Sequence, residues 1–169
     1  SMGGVCLNEG CIPTKTLLYS AKTFDNALHG DKYGVFADNV RFDFAKITAR
    51  KDKVVKKLVA GVESKMKVNH VTVVKGEAMI QSRTSNGLEV KCNDQSYIGK
   101  NLLISTGSEA AVPPIPGLVE AGDRILTNRE ILALKEQPAS LVIIGGGVIG
   151  MEFASFYNSL GTKVTVVEM

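Results

Sequence analysis

LVIIGGGVIGMEFASFYNSLGTKVTVVE, residues 141–168, reads as strand, glycine loop, helix and strand. A β-branched strand over 141–144 runs into GGGVIG at 145–150. An amphipathic helix over 151–160 follows, and a second strand over 163–168 closes the unit. Gly145, Gly147 and Gly150 match G-x-G-x-x-G, and each glycine has a separate task. Gly145 makes the tight turn. Gly147 lets the backbone approach a pyrophosphate at the helix N-terminus, where free N–H groups and the helix dipole favour an anion. Gly150 lets helix and strand pack closely. The pattern alone is weak, but in this context it predicts a dinucleotide-binding βαβ unit. Glu168 ends the second strand. A carboxylate there accepts from a ribose 2′-hydroxyl and repels a 2′-phosphate, which favours NAD over NADP. The structural alternatives are a packing turn without a ligand and, for Glu168, an exposed strand-end acid.

Working back from this unit, Thr127 to Glu130 spell a capping box that opens a short helix, with Pro138 closing it. VPPIPG at 112–117 is a stiff linker and marks a domain boundary, dividing the chain into 1–117 and 118–169. Before it, short strands are predicted at 71–75, 78–83, 88–92, 96–98 and 102–105. Asn86-Gly87 is the hairpin signal, because both residues can take positive φ. The last of these strands ends in Thr106-Gly107. A long helix over 43–67, capped by Asp43, carries Phe44, Ile47, Val54, Val55, Leu58, Val62 and Met66 as one apolar stripe, with lysines on a solvated opposite face. An earlier helix over 12–28 takes Pro13 in its first turn, where the missing N–H costs nothing.

Composition narrows the class. Of 169 residues, 44% are hydrophobic and 22% charged, which suits a globular chain rather than a disordered one. A net charge of +3 is too mild to argue for nucleic acid. No apolar run reaches the roughly 18 residues of a membrane helix, and no basic segment leads into an apolar one as in a secretory signal.

GGVCLNEGCIPTK at 3–15 holds two of the three cysteines, Cys6 and Cys11. A structural disulfide needs an oxidising compartment, of which the sequence gives no sign. A zinc site needs about four ligands, and His29, His70 and Cys92 stand at no metal-like spacing. A redox dithiol needs a close pair, a lowered thiol pKa and access. Cys11 opens the helix, where the N-terminal dipole favours a thiolate, and Lys15 follows one turn later. Cys6 is the more exposed partner, open to thiol–disulfide exchange. Cys92 falls in a strand pattern and is expected to be a buried small hydrophobe.

At this point the chain resembles a known family. GGVCLNEGCIPTK is similar to the active-site segment of the flavoprotein pyridine-nucleotide disulfide oxidoreductases. Its CLNEGCIPTK form is most similar to the dihydrolipoamide dehydrogenase branch, while glutathione and mercuric reductases carry close variants. TGSEAAVPPIPG from Thr106 resembles the family's exit from the FAD domain, and 141–168 resembles the start of its NAD domain. The resemblance covers essentially the whole chain. It implies an α/β class within a Rossmann-like, two-domain FAD/NAD(P)-binding architecture, with a redox-active helix, a long amphipathic helix and a small β-meander. Residues 1–117 would be part of the FAD domain and 118–169 the first βαβ of the NAD domain.

By position, Cys6 matches the interchange thiol and Cys11 the thiol facing the flavin. Lys15 matches a lysine beside the flavin, and Glu152 a glutamate pairing with it near the nicotinamide. A first-turn helix acid is an equally good reading of Glu152. Thr106 and Gly107 match a backbone contact with FAD. The cofactors implied are FAD and NAD, with no metal. The reaction implied is oxidation of a protein-bound dihydrolipoyl group with reduction of NAD⁺. Its rivals are an NADPH-dependent glutathione or mercuric reductase and a folded but inactive fragment. The partners implied are the lipoyl domain of a 2-oxo acid dehydrogenase complex or glycine cleavage system, and a second copy in a homodimer. The location implied is the cytoplasm, or the mitochondrial matrix in a eukaryote.

Family members also carry a glycine-rich βαβ unit before the cysteines, the rest of the NAD domain, and an interface domain with a His–Glu pair. The chain is therefore expected to be an internal piece of a longer enzyme. Alone, it is expected to be inactive, with poor FAD affinity and unpaired strand edges.

Overall fold

In the computed structural model the described residues are 1–118 and 120–168; Val119 and Met169, both within the region 118–169, lie outside them. The elements run α1 (Gly4–Glu9), α2 (Cys11–Leu28), α3 (Phe44–Val68), β1 (Ala78–Thr84), β2 (Gly87–Cys92), β3 (Gln95–Gly99), α4 (Asn128–Ala133), β4 (Ser140–Ile144), α5 (Val148–Ser159) and β5 (Lys163–Val167). Packing divides them into two units, one of Ser1–Gly61 with Glu109–Met169 and one of Val62–Ser108. The fold is α/β and Rossmann-like, as the glycine fingerprint and its flanks predict.

The first unit holds the core. Leu17 and Ala21 of α2, Ile131 and Leu132 of α4, and Phe153, Phe156 and Tyr157 of α5 form one buried cluster with Leu160. Phe156 and Tyr157 are each 1% exposed. Their rings meet edge to face, with centroids 4.9 Å apart, the arrangement that aromatic quadrupoles favour. The Tyr157 hydroxyl donates to the Ile131 carbonyl at 3.3 Å, and burial pushes its pKa up to about 12. β4 and β5 pair in parallel, Leu141 opposite Val164 and Ile143 opposite Val166, with α5 as the connection. Leu141, Ile143 and Val164 pack on the aromatic cluster, while Val142 and Ile144, one residue out of phase, are exposed. This is the period-2 alternation of a sheet covered on one face.

Helix ends in this unit are tied by side chains. Thr127 caps α4 and exchanges hydrogen bonds with Glu130, completing the predicted box. These bonds hold the Glu130 carboxyl below the usual range. The helix stops at Ala133, before Pro138 can act. Lys51 corrects the picture of a uniformly solvated lysine face on α3. It is 6% exposed, and its ammonium donates to the Leu132 carbonyl at 2.6 Å and pairs with Asp52 at 2.7 Å. A cation there satisfies a last-turn carbonyl of α4 that no backbone N–H reaches.

The second unit carries the predicted meander. β1, β2 and β3 form an antiparallel sheet in that order, with a bulge between Ile80 and Arg83. The first hairpin turn differs from expectation. Thr84 pairs with Gly87, so Ser85 and Asn86 occupy the turn. Gly87 instead has φ +139, and a β-carbon there would stand 2.4 Å from the Gly99 carbonyl oxygen. Cys92 is 6% exposed at the end of β2, as its strand position predicts.

Other expectations fail for a common reason. Residues 71–75 and 102–105 form no strand. A strand exists by pairing its backbone groups, and neither segment has a ladder partner among the described residues. Leu103 is left 87% exposed. Of the α3 stripe, Phe44 and Ile47 near its start pack on the core cluster, while Leu58 is exposed. Among the described residues no helix is long and apolar enough to cross a membrane.

Candidate redox and dinucleotide site

Gly10 alone separates α1 from α2, and the two cysteines flank it. Cys6 lies in α1, a helix the sequence did not announce, and Cys11 is the first residue of α2. Both are exposed free thiols. A β-carbon on Gly10 would stand 3.2 Å from the Cys6 Cα and the Val5 carbonyl oxygen. Glycine therefore permits the close approach between the last turn of α1 and the start of α2. The Cys6 pKa is raised, first by the Cys11 side chain, then by desolvation and by the charge of Cys11, with the Cys11 backbone N–H and then the Lys15 charge acting against this.

Lys15 lies one turn into α2, and its ammonium donates to the Glu152 carboxylate. That bond raises the Lys15 pKa, with smaller help from the charges of Cys11 and Cys6. Because α5 starts at Val148 rather than at Met151, its first turn contains no acid. Glu152 lies beyond the turn where the helix dipole acts most strongly, and its partner is Lys15, 137 residues away in sequence.

The glycine loop forms a second cluster. Gly145 has φ +102 and donates its N–H to the Val167 carbonyl at 2.8 Å. Gly147 is the N-cap of α5 and provides no side-chain cap, and a β-carbon on it would meet nothing within 4 Å. The backbone there is open to a ligand, and the first N–H groups of α5 have no side-chain partner at the cap. Gly150 falls inside the first turn of α5. A β-carbon on it would stand 2.7 Å from the Gly145 carbonyl oxygen and 3.0 Å from Ile143. Gly150→Ala is therefore expected to cost about 1–3 kcal/mol by overpacking, read as a lowered Tm in thermal unfolding. An unchanged Tm would mean that helix and strand can part at no cost. The Glu168 carboxylate accepts from the Gly146 N–H and so lies over this loop.

The structure thus gathers Cys6, Cys11, Lys15 and Glu152 into one cluster. It gathers Gly145, Gly147, Gly150 and Glu168 into another. Thr106 and Gly107 belong to the other unit, in an exposed irregular segment where Gly107 takes φ +89. Two residues that sequence reasoning missed touch the cysteine segment. Asn128 Nδ2 donates to the Glu9 carbonyl at 2.9 Å, and the Arg129 guanidinium donates to the Glu9 carboxylate. The capping box placed both at the start of α4, but nothing in the sequence linked them to Glu9. Among the described residues no group of three or more His, Cys, Asp or Glu could hold a metal ion.

A family model described as pyridine nucleotide-disulphide oxidoreductase matches residues 1–169. The chain is 50% identical over 171 residues to the dihydrolipoyl dehydrogenase of Acholeplasma laidlawii, covering 99% of this chain and 50% of that protein. It is 44% identical over 170 residues to that of Geobacillus stearothermophilus, covering 99% of this chain and 35% of that one. The chain therefore spans half or less of the length of these relatives. Among solved structures, the HOCl-induced flavoprotein disulfide reductase RclA from Escherichia coli superposes with a TM-score of 0.74 at 32% identity, over 98% of this chain and 34% of that one. LpdA from Mycobacterium tuberculosis superposes with a TM-score of 0.85 at 24% identity, over 99% of this chain and 37% of that one, a likeness of fold.

Proposed function

Since the chain belongs to the pyridine nucleotide-disulphide oxidoreductase family, we propose that it carries the redox segment and first dinucleotide-binding unit of a dihydrolipoyl dehydrogenase. The observation that carries this reading is the Lys15–Glu152 ion pair. It joins the helix that starts at a redox cysteine to the helix that starts at the glycine loop. On this reading 1–117 belongs to an FAD domain and 118–169 to an NAD domain.

In the oxidised pair, a thiolate of the substrate dithiol attacks Cys6 Sγ. The Cys6–Cys11 bond breaks, and Cys11 leaves as a thiolate facing the α2 N-terminus and the Lys15 charge. The second substrate thiol then displaces Cys6 from the mixed disulfide. The substrate departs as a cyclic disulfide, and Cys6 takes up a proton, as its raised pKa favours. When bound, a flavin supplies the two-electron relay from the dithiol to the nicotinamide.

By the family resemblance, Lys15 in one unit, and Thr106 and Gly107 in the other, are each assigned an FAD contact. Gly145, Gly147, Gly150 and the open start of α5 would hold the NAD pyrophosphate, and Glu168 the adenosine ribose. The partners on this reading are a lipoyl domain and a second copy in a homodimer. The setting is the cytoplasm, or the mitochondrial matrix in a eukaryote.

The test uses the whole chain, first oxidised and then mixed with one equivalent of dihydrolipoamide. A single reduction of a Cys6–Cys11 disulfide, followed by intact mass, is the expected result. Failure of oxidised wild type to contain that disulfide would sink the redox reading. For the nucleotide half, Gly147→Ala is expected to leave Tm unchanged and to weaken NAD binding, measured by calorimetry. Equal binding by wild type and variant would remove the loop from the proposed site.

A further inference from the structure

The cysteine pair is held by residues outside its own segment. α1 has six residues and buries none of them, and a helix that short does not sustain itself in water. Its last residue, Glu9, lies between Cys6 and Cys11 and is tied twice to the start of α4. The Asn128 side chain takes the Glu9 backbone carbonyl at 2.9 Å, and Arg129 takes the Glu9 carboxylate. A second arm of the Arg129 guanidinium reaches Glu109 at 3.4 Å. α4 is a firm anchor. Ile131 and Leu132 lie in the core, Tyr157 and Lys51 bind their carbonyls, and the Thr127–Glu130 box closes its start.

We propose that Asn128 and Arg129 are positioning residues for the Cys6–Cys11 couple, clamping Glu9 so that the two thiols stay within bonding reach and setting the stability of their disulfide. The inference rests on the redox reading of the pair given above. Oxidation converts Cys6–SH, Cys11–SH and one oxidised glutathione into the Cys6–Cys11 disulfide and two glutathione thiols. Its equilibrium constant scales with the effective concentration of one cysteine at the other. Releasing Glu9 lets α1 sample conformations that separate the thiols, which favours the reduced pair. The planar fork of Arg129 binds two carboxylates at once, whereas a lysine offers a single point charge. Side-chain truncation at either position leaves the backbone cap of α4 intact, because the Arg129 N–H and not its guanidinium donates to Thr127.

The experiment equilibrates the whole chain in glutathione buffers of graded ratio, quenches in acid, and quantifies the disulfide by mass after alkylation. Asn128→Ala/Arg129→Ala is expected to lower the equilibrium constant about tenfold, about 30 mV for this two-electron couple. Arg129→Lys is expected to recover part of the loss seen in Arg129→Ala. Thermal unfolding is measured alongside. A double variant with a lowered Tm and an unchanged redox equilibrium would reduce the clamp to an ordinary structural contact and overturn the proposal. So would a variant unchanged in both. If the double variant does not fold, Glu9→Gln weakens the Arg129 arm alone while the Asn128 bond to the backbone stays, and a smaller shift toward the reduced pair is required of it. A wild type that never forms the Cys6–Cys11 disulfide overturns the redox reading itself, and the clamp with it. A wild type that forms it, with variants unshifted, overturns the clamp alone.

Discussion

Cys11→Ser is expected to abolish the intramolecular disulfide and to leave Cys6 stranded as a mixed disulfide after exposure to oxidised glutathione. In the wild type, on the redox reading, Cys11 attacks the Cys6–glutathione bond and expels the glutathione. That step is unimolecular, so it benefits from the high effective concentration of a neighbouring group. In the variant only a second glutathione can release the adduct. Release should therefore slow by about 10³-fold or more at millimolar thiol. Intact mass under non-reducing conditions reads both species. A wild type that also stalls at the glutathione adduct would show that the thiols do not form an exchange couple. The complementary Cys6→Ser variant should form little adduct if Cys6 is the thiol that meets external disulfides. Extensive modification of Cys11 in that variant would reverse the two assignments.

The second large effect is on the core. Phe156→Ala is expected to cost about 3–5 kcal/mol, a large share of the roughly 5–15 kcal/mol that holds a domain together. Phe156 is almost completely buried, meets Tyr157 edge to face, and has Phe44 of α3 at a centroid distance of 6.4 Å. Truncation opens a cavity where α2, α3 and α5 converge. Chemical denaturation followed by far-ultraviolet dichroism measures the loss. A cost below about 1 kcal/mol would mean that the aromatic cluster collapses to fill the space or that packing is centred elsewhere. The same variant should loosen the Lys15–Glu152 pair, because the helices that present these two side chains meet on that cluster.

The sequence by itself determined the local features whose causes lie within a few residues. The fingerprint glycines are of this kind. Gly145 is required by its positive φ and Gly150 by a near-collision with a carbonyl five residues back. Thr127 and Glu130 close their box across one helical turn. The course of α2 from Cys11 to Leu28, the three-stranded meander and the burial of Cys92 were legible for the same reason, since periodicity and turn chemistry are short-range signals.

Tertiary structure alone decided whatever needs a partner far along the chain. Residues 71–75 and 102–105 have strand composition, but composition supplies no ladder partner, and they stay unpaired. Lys51 looks like any solvated lysine until the last turn of α4 is brought over it. Lys15 and Glu152 each tolerate several roles until the packing of α2 on α5 makes them neighbours. No motif links Glu9 to Asn128 and Arg129, and α1 has too little burial to be announced by an apolar face. Short-range sterics and hydrogen bonds are encoded in adjacent letters. Burial and ion pairing depend on which surfaces meet, and that is settled only when the whole core assembles.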